Sequence, residues 1–378
     1  IYGGVANGGG NVEANHATFD GNQLNGELVG GMATDGGTGT VKKNTATLKG
    51  GNVTGSVYGG TTGNAANGDV LENEVLIEGG ATTIVAGSVY GGYSDGDGNV
   101  KGNIVTIKGG ILNGIYGGYS SGTGEVSGNT VNLGDGKSAM KSGYAINGTI
   151  YGGKNTADAT KVSNNTLNVN TNAKAHNIKN FSTINFNFNA HMNTSNPLLT
   201  LTDSGKTKIK NLDQLHMNGE WLGSGTLIEN ANGIDFESYT SKLGRTGEKT
   251  ETIIDKDGTT KIGYKGYQFK GARAPQTEGT DIWGGRSVLG NTTTDNEITL
   301  SGNHTGKKAY GGWTSGTGTK AAADKQNNSL NNTVNYTAGT LTGALYGGHA
   351  AAGEASGNTV TVSANAGVVT GGRSTGDA

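Results

Sequence analysis

The chain has 378 residues, a formal net charge of −2 and no cysteine, which excludes disulfide scaffolds, zinc-thiolate sites and thiol catalysis. Glycine supplies 72 residues and proline only 2, a combination that rules out collagen and polyproline. With no basic excess, nucleic acid is not an expected partner, and no apolar run is long enough to span a bilayer, so this segment is not expected to contact a membrane.

Residues 1–170 repeat two patterns. In the first, V-x-x-N-x-V-x-I, an Asn is followed two and four positions later by mostly apolar residues, as at Asn129, Val131 and Leu133. Spacing of i, i+2, i+4 puts these side chains on one face of an extended strand. The second pattern, V-x-G-x-V-Y-G-G, does the same with Ile146, Gly148 and Ile150 before Tyr151. Val126 and Asn129 are three apart and cannot share a face of one straight strand, so a corner must intervene, with Gly or Asn expected to take the left-handed backbone there.

Residues 171–281 read as degenerate rungs. Alternation persists in Ile184, Phe186 and Phe188 and again in Leu199 and Leu201. Asp255-Lys256-Asp257-Gly258, flanked by short apolar runs, predicts a hairpin near 250–264 that projects from the body. From 282 to 378 the repeat resumes.

Across the chain the Asn recurs at Asn15, Asn44, Asn73, Asn103, Asn129, Asn165, Asn296, Asn332 and Asn358. The Tyr-Gly-Gly recurs at Tyr2, Tyr58, Tyr90, Tyr116, Tyr151, Tyr310 and Tyr346, with Val29, Trp283 and Thr370 in the Tyr slot of further copies. Such a period belongs to a solenoid whose rungs cannot bury a core alone and must stack. The expected fold is all-β: a parallel β-helix of about a dozen rungs, about 4.8 Å apart, with an irregular central insertion. Stacking would bring the Asn residues within reach of one another as a structural amide ladder.

The rungs of the N-T-V-T-I and G-x-I-Y-G-G-Y-S kind, interrupted by N-F-S-T-I-N-F-N-F and L-L-T-L-T, resemble the passenger region of single-chain autotransporters of Gram-negative bacteria, of the adhesin type. That resemblance implies a right-handed helix, delivery to the cell surface and anchoring by an outer-membrane barrel outside this sequence. The chain starts inside a Tyr-Gly-Gly motif, as a piece of a longer array would.

The pattern G-x-S-x-G occurs at Gly92, Gly118 and Gly372, but no helical pattern follows, as a hydrolase elbow requires, and each copy reads as the repeat's own loop. Asp95, Asp97 and Asn99 alternate like calcium-loop ligands, yet Thr106 stands where the closing Glu belongs. The six His residues show no metal spacing, so neither a metal nor a cofactor is expected. Specificity is expected where rungs differ, at the residue after Gly-Gly, placed in loops: Val5, Met32, Thr61, Tyr93, Tyr119, Lys154, Arg286, Trp313, His349 and Arg373. Tyr93, Tyr119 and an exposed Trp313 are the candidate ligand-binding residues, while the constant Tyr is expected to set rung geometry at a corner. The leading expectation is an adhesin that binds host-cell or bacterial surface protein or glycan, supporting attachment, aggregation or biofilm. A polysaccharide-degrading enzyme on the same fold and a passive stalk presenting a distal domain are the alternatives.

Overall fold

A strand whose alternate residues are apolar can bury one face only against another strand, and a chain that repeats such strands buries them against its own copies. The computed structural model describes residues 1–34, 36, 38–63, 67–219, 221–245, 248–315 and 327–375; Gly376, which ends the third G-x-S-x-G match, lies outside them. The chain forms two compact units, the first from 1–218, 225–240 and 255–263, the second from 219–224, 241–254 and 264–378. Both are built from parallel strands in stacked sheets, a parallel β-solenoid, and helix among the described residues is limited to the short turns Ala159–Lys161 and Leu212–Gln214.

Each rung of the first unit contributes its apolar residues to columns. Val12, Val41, Val70, Val100, Val126 and Val162 pair in register on the short strands before each corner. Ala46, Val75, Val105, Val131, Leu167, Ile184 and Leu215 form the next column, all buried. Val57, Val89, Ile115 and Ile150 form the column before Tyr-Gly-Gly and are fully buried. Each such Val, Leu or Ile side chain contributes roughly 1.5–3 kcal/mol of burial. The stack does not stop where the motif fades: Leu167, Ile184 and Leu215 stay in register, and Thr207–Ile209 pairs with Ile234–Phe236. Strands Thr250–Asp257 and Lys261–Gln268 flank Gly258, whose φ of +68° is the turn conformation the Asp-Gly pair favours.

In the second unit the Tyr-Gly-Gly strands Asp281–Ser287, Lys308–Thr314, Thr340–Ala350 and Asn365–Ser374 stack in parallel. The strands that follow the ladder Asn residues, Glu297–Ser301, Thr333–Ala338 and Thr359–Val362, form a second sheet. Ile282, Ile298, Leu300, Val334, Tyr336, Leu341 and Leu345 fill the space between.

The corner before each Asn is left-handed, but its occupants correct the expectation of Gly or Asn alone. Gly102, Gly128 and Gly357 sit there, as do Asn164 and Asn331, yet so do Ala14 (φ 56°), Lys43 (55°), Glu72 (53°) and Asp295 (57°). A non-glycine residue in this region costs about 1–2 kcal/mol. The stack offsets that cost because the corner N–H is already committed to the next rung, as in Lys43 to the Leu71 carbonyl (3.1 Å) and Glu72 to Lys101 (2.9 Å).

The two sequence patterns meet at one place. The amide nitrogen of Asn103 donates to Asn129 Oδ1 (3.0 Å) and to the Val70 carbonyl (3.0 Å), while its own Oδ1 accepts from the backbone and side chain of Asn73 (2.9 and 3.0 Å). Asn44, Asn73 and Asn129 repeat the arrangement, so a side chain with two donors and a two-fold acceptor is used completely. Gly-Gly makes room for it. A Cβ on Gly92 would lie 2.5 Å from Asn103 Nδ2, and one on Gly91 would lie 2.4 Å from the Gly117 carbonyl oxygen.

Candidate binding face

Because Gly91 and Gly92 are both buried against the Asn ladder, the strand turns its flanking residues outward together, and Tyr90 and Tyr93 emerge on one face. Tyr58, Tyr90, Tyr116 and Tyr151 stack along it with ring centroids 5.0, 4.9 and 5.0 Å apart and planes within 10°. A second column, Tyr93 and Tyr119, stacks at 5.1 Å and meets the first edge to face at 5.3 to 5.8 Å. Lys154 continues that column, its Nζ 5.9, 5.7 and 5.4 Å from the Tyr116, Tyr119 and Tyr151 rings. Such offset and edge contacts are each worth about 0.5–1.5 kcal/mol beyond burial.

The residues after Gly-Gly therefore do not lie in loops. Tyr93 is in strand Val89–Ser94, Tyr119 in Ile115–Ser120, Lys154 in Ala145–Asn155 and Trp313 in Lys308–Thr314, and Trp313 is half-buried, not exposed. The physical reason is the Gly-Gly bend, which keeps the hydrogen-bonded strand running while sending two nearby side chains out. Constant and variable tyrosines are thus one packed surface. All six rings are half-buried. Burial raises the Tyr58 and Tyr90 hydroxyls above their ordinary range, and burial, with Asp95 beside the first, pushes Tyr93 up to about 12; Tyr116 reaches about 12 by burial.

The equivalent face of the second unit has Trp283, Tyr310 and Tyr346 in the first column and Arg286, Trp313, His349 and Arg373 in the second. Tyr310 and Tyr346 stack at 5.1 Å, with His349 edge-on to both. The Arg286 guanidinium lies 4.2 Å over Trp283, 4.3 Å over Tyr267 and 5.5 Å from Trp313, and is ion-paired to Glu278. Glu278 also takes Lys265 and the Tyr267 hydroxyl (2.9 Å). Burial opposes its ionisation, but these three partners outweigh it and lower the carboxyl to about 2. In the same unit Glu251 is fully buried and accepts from Ser287 Oγ (3.0 Å), Asn291 Nδ2 (2.9 Å) and the Val288 N–H, and desolvation raises it.

The nine Asn residues stand where the two ladders run: Asn15 through Asn165 in the first unit, and Asn296, Asn332 and Asn358 (2.7 and 2.9 Å) in the second. Asn15 and Asn358 are half-buried end members. The other sequence motifs are consumed by the stack. Ser94 Oγ closes on its own loop at Gly96, Asp97 caps Thr123 of the next rung (2.8 Å), and Asp95 takes Ser121 (3.0 Å). No group of three or more His, Cys, Asp or Glu that could hold a metal occurs among the described residues.

Sequence reasoning missed Lys179, which occupies the Tyr slot one rung beyond Tyr151 and pairs with it. The signal was present in Asn177-Ile178-Lys179-Asn180, which keeps the apolar residue before the slot after losing the glycines. It also missed Glu278 and Tyr267, since no repeat marks them.

No known protein family, no curated protein and no solved structure matches this chain.

Proposed function

We propose that this chain is an adhesive solenoid of a bacterial cell surface, of the autotransporter passenger kind, which attaches to a host-cell or bacterial surface ligand through the tyrosine face of its first unit. The observation that carries the reading is the double column of six tyrosines. Tyrosine supplies a large, rigid, amphipathic contact at low entropic cost, and here packing fixes the rings before any ligand arrives. The resemblance of the rungs to autotransporter passengers supports the location. The Asn and Gly-Gly residues hold the face and do not form it.

The test is attachment of beads coated with the chain to cells and to a glycan array, comparing wild type, Tyr93→Ala/Tyr119→Ala and Tyr93→Phe/Tyr119→Phe. Loss of an anchor costs about 2 kcal/mol or more of binding. The Ala pair should lose attachment. The Phe pair retains the packed rings, and its melting temperature separates a binding defect from an unfolding one. Undiminished attachment by the Ala pair would move adhesion to another surface.

A further inference from the structure

At the end of the tyrosine column the surface changes character within one rung. Tyr151 is paired with Lys179, and beside it opens a groove of about 830 Å³. Lys179, Lys206, Lys208 and Lys210 line it, with the polar side chains of Ser182 and Asn211 between them. Three acids also line it, Asp203, Asp213 and Glu237. Asp203 is engaged by Asn177 (2.6 Å) and the Gly205 N–H (2.9 Å), and Lys206 is paired with Asp235 (3.1 Å). Among the described residues, Lys154, Lys179, Lys208 and Lys210 have no carboxylate within ion-pair distance. Three of these, Lys179, Lys208 and Lys210, are exposed.

We propose that the first unit binds an acidic polysaccharide, laid along the tyrosine column with its anionic groups at Lys154, Lys179 and the lysines of the groove. This deepens the adhesive reading and rests on it. A surface that repeats every rung is matched by a ligand that repeats, which a polymer does and a folded protein epitope does not. The rings are stacked on one another at 4.9 to 5.1 Å, so they offer edges and hydroxyls, not free faces. That suits a polyhydroxylated chain and disfavours single-stranded nucleic acid, whose bases need open aromatic faces. Cations without an ion-paired carboxylate at the end of the column, of which Lys179 is attracted at longer range by Asp203, then select for carboxylate or sulfate groups.

The experiment titrates the whole chain with polygalacturonate, chondroitin sulfate, neutral dextran and poly(dT), at about 50 mM and about 300 mM salt. The variants are Lys179→Gln/Lys208→Gln/Lys210→Gln and Tyr93→Ala/Tyr119→Ala, with melting curves for both. The acidic polysaccharides should bind and weaken with salt, and the Lys variant should lose about tenfold or more of that affinity with an unchanged melt. The Tyr variant should also lose affinity for them. Dextran bound as tightly as the acidic chains, with no effect of the Lys variant, overturns the acidic ligand but leaves the tyrosine face as the adhesive site. Binding that falls with the Lys variant and not with the Tyr variant, or poly(dT) bound as well as the acidic polysaccharides, overturns the combined track. No polysaccharide bound at all overturns this inference; the adhesive reading then stands or falls on the cell-attachment assay.

Discussion

The same motif makes a different surface in each unit. In the first, Tyr-Gly-Gly-x yields half-buried tyrosines with Lys154 lying over three rings and no acid paired to it among the described residues. In the second, Trp283, Tyr310 and Tyr346 are buried to within 6% and the cation in the variable slot, Arg286, is closed over by Glu278 and Tyr267. The Asn and Gly-Gly positions are alike in both. The constant residues therefore build an in-register column in both units, aromatic except where Val29 or Thr370 fills the slot, and the neighbours of the variable slot decide whether solvent and ligands can reach it.

The largest expected effect tests the part held in common. Asn129→Ala and Asn332→Ala each strip an acceptor from the backbone and side-chain donors of the previous Asn, which should cost on the order of 2–4 kcal/mol. Gly92→Ala and Gly312→Ala, which drive a Cβ to 2.5 Å from an Asn amide, should cost roughly 1–3 kcal/mol. Chemical denaturation of each variant measures this, and tolerance in one unit alone would break the equivalence of the two ladders.

A smaller effect separates the units. Glu278 is lowered to about 2 from 4.5, so the stability it contributes is present above about 4.5 and is lost as pH falls through 2. Glu278→Gln should lower stability by about 1 kcal/mol near neutrality, after allowance for solvent screening of this partly exposed group. The gap from wild type should close towards pH 2. A constant gap across the pH range would mean that packing of the side chain, not its charge, closes the second face.

Alkaline titration probes the first face against a background shared by the second unit, where burial raises Tyr310 to about 12 as well. Tyr93 and Tyr116 are raised to about 12, so their contribution is complete below pH 10 and is lost as pH rises through 12. Phenolate absorbance should show an upper phase near pH 12 that shrinks in Tyr93→Phe/Tyr116→Phe. Survival of the whole phase in that variant would show these hydroxyls to be freely solvated.

The smallest effect lies at the corners. Lys43 holds φ of 55° without the local bonding that lets Asn adopt this region, so Lys43→Gly should raise stability by about 0.5–1 kcal/mol. Asn331→Gly in the second unit should gain less. Equal gains would mean that the corner strain is independent of side chain.

Much of this architecture was legible in the sequence because the stack uses identical residues at identical places. Asn129 and Tyr151 announce their roles by recurring. The period also located the corner between Val126 and Asn129. What recurrence could not give was the relation between the motifs, that Gly-Gly is the space an Asn amide occupies, because that contact joins residues such as Gly92 and Asn103 through the body of the rung. Nor could it place Tyr93 in a strand, since the Gly-Gly bend lets an extended chain show flanking side chains on one face. Lys179 and Glu278 were hidden for the opposite reason: each occurs once, and their meaning comes from Tyr151 and Arg286 beside them.

The Asn ladder has a direction. Asn44 gives its backbone N–H and one amide hydrogen to Asn73, Asn73 does the same to Asn103 and Asn103 to Asn129, always toward the later rung, while the second amide hydrogen of each goes back to a Val carbonyl of the earlier rung. One end of such a series presents an open acceptor and the other an open pair of donors, so rungs couple head to tail and in no other sense. A whole turn added or removed in register therefore reproduces the same joint. An insertion of half a turn, by contrast, puts another residue in the Asn register and leaves the donors of the preceding Asn without their Oδ1 acceptor.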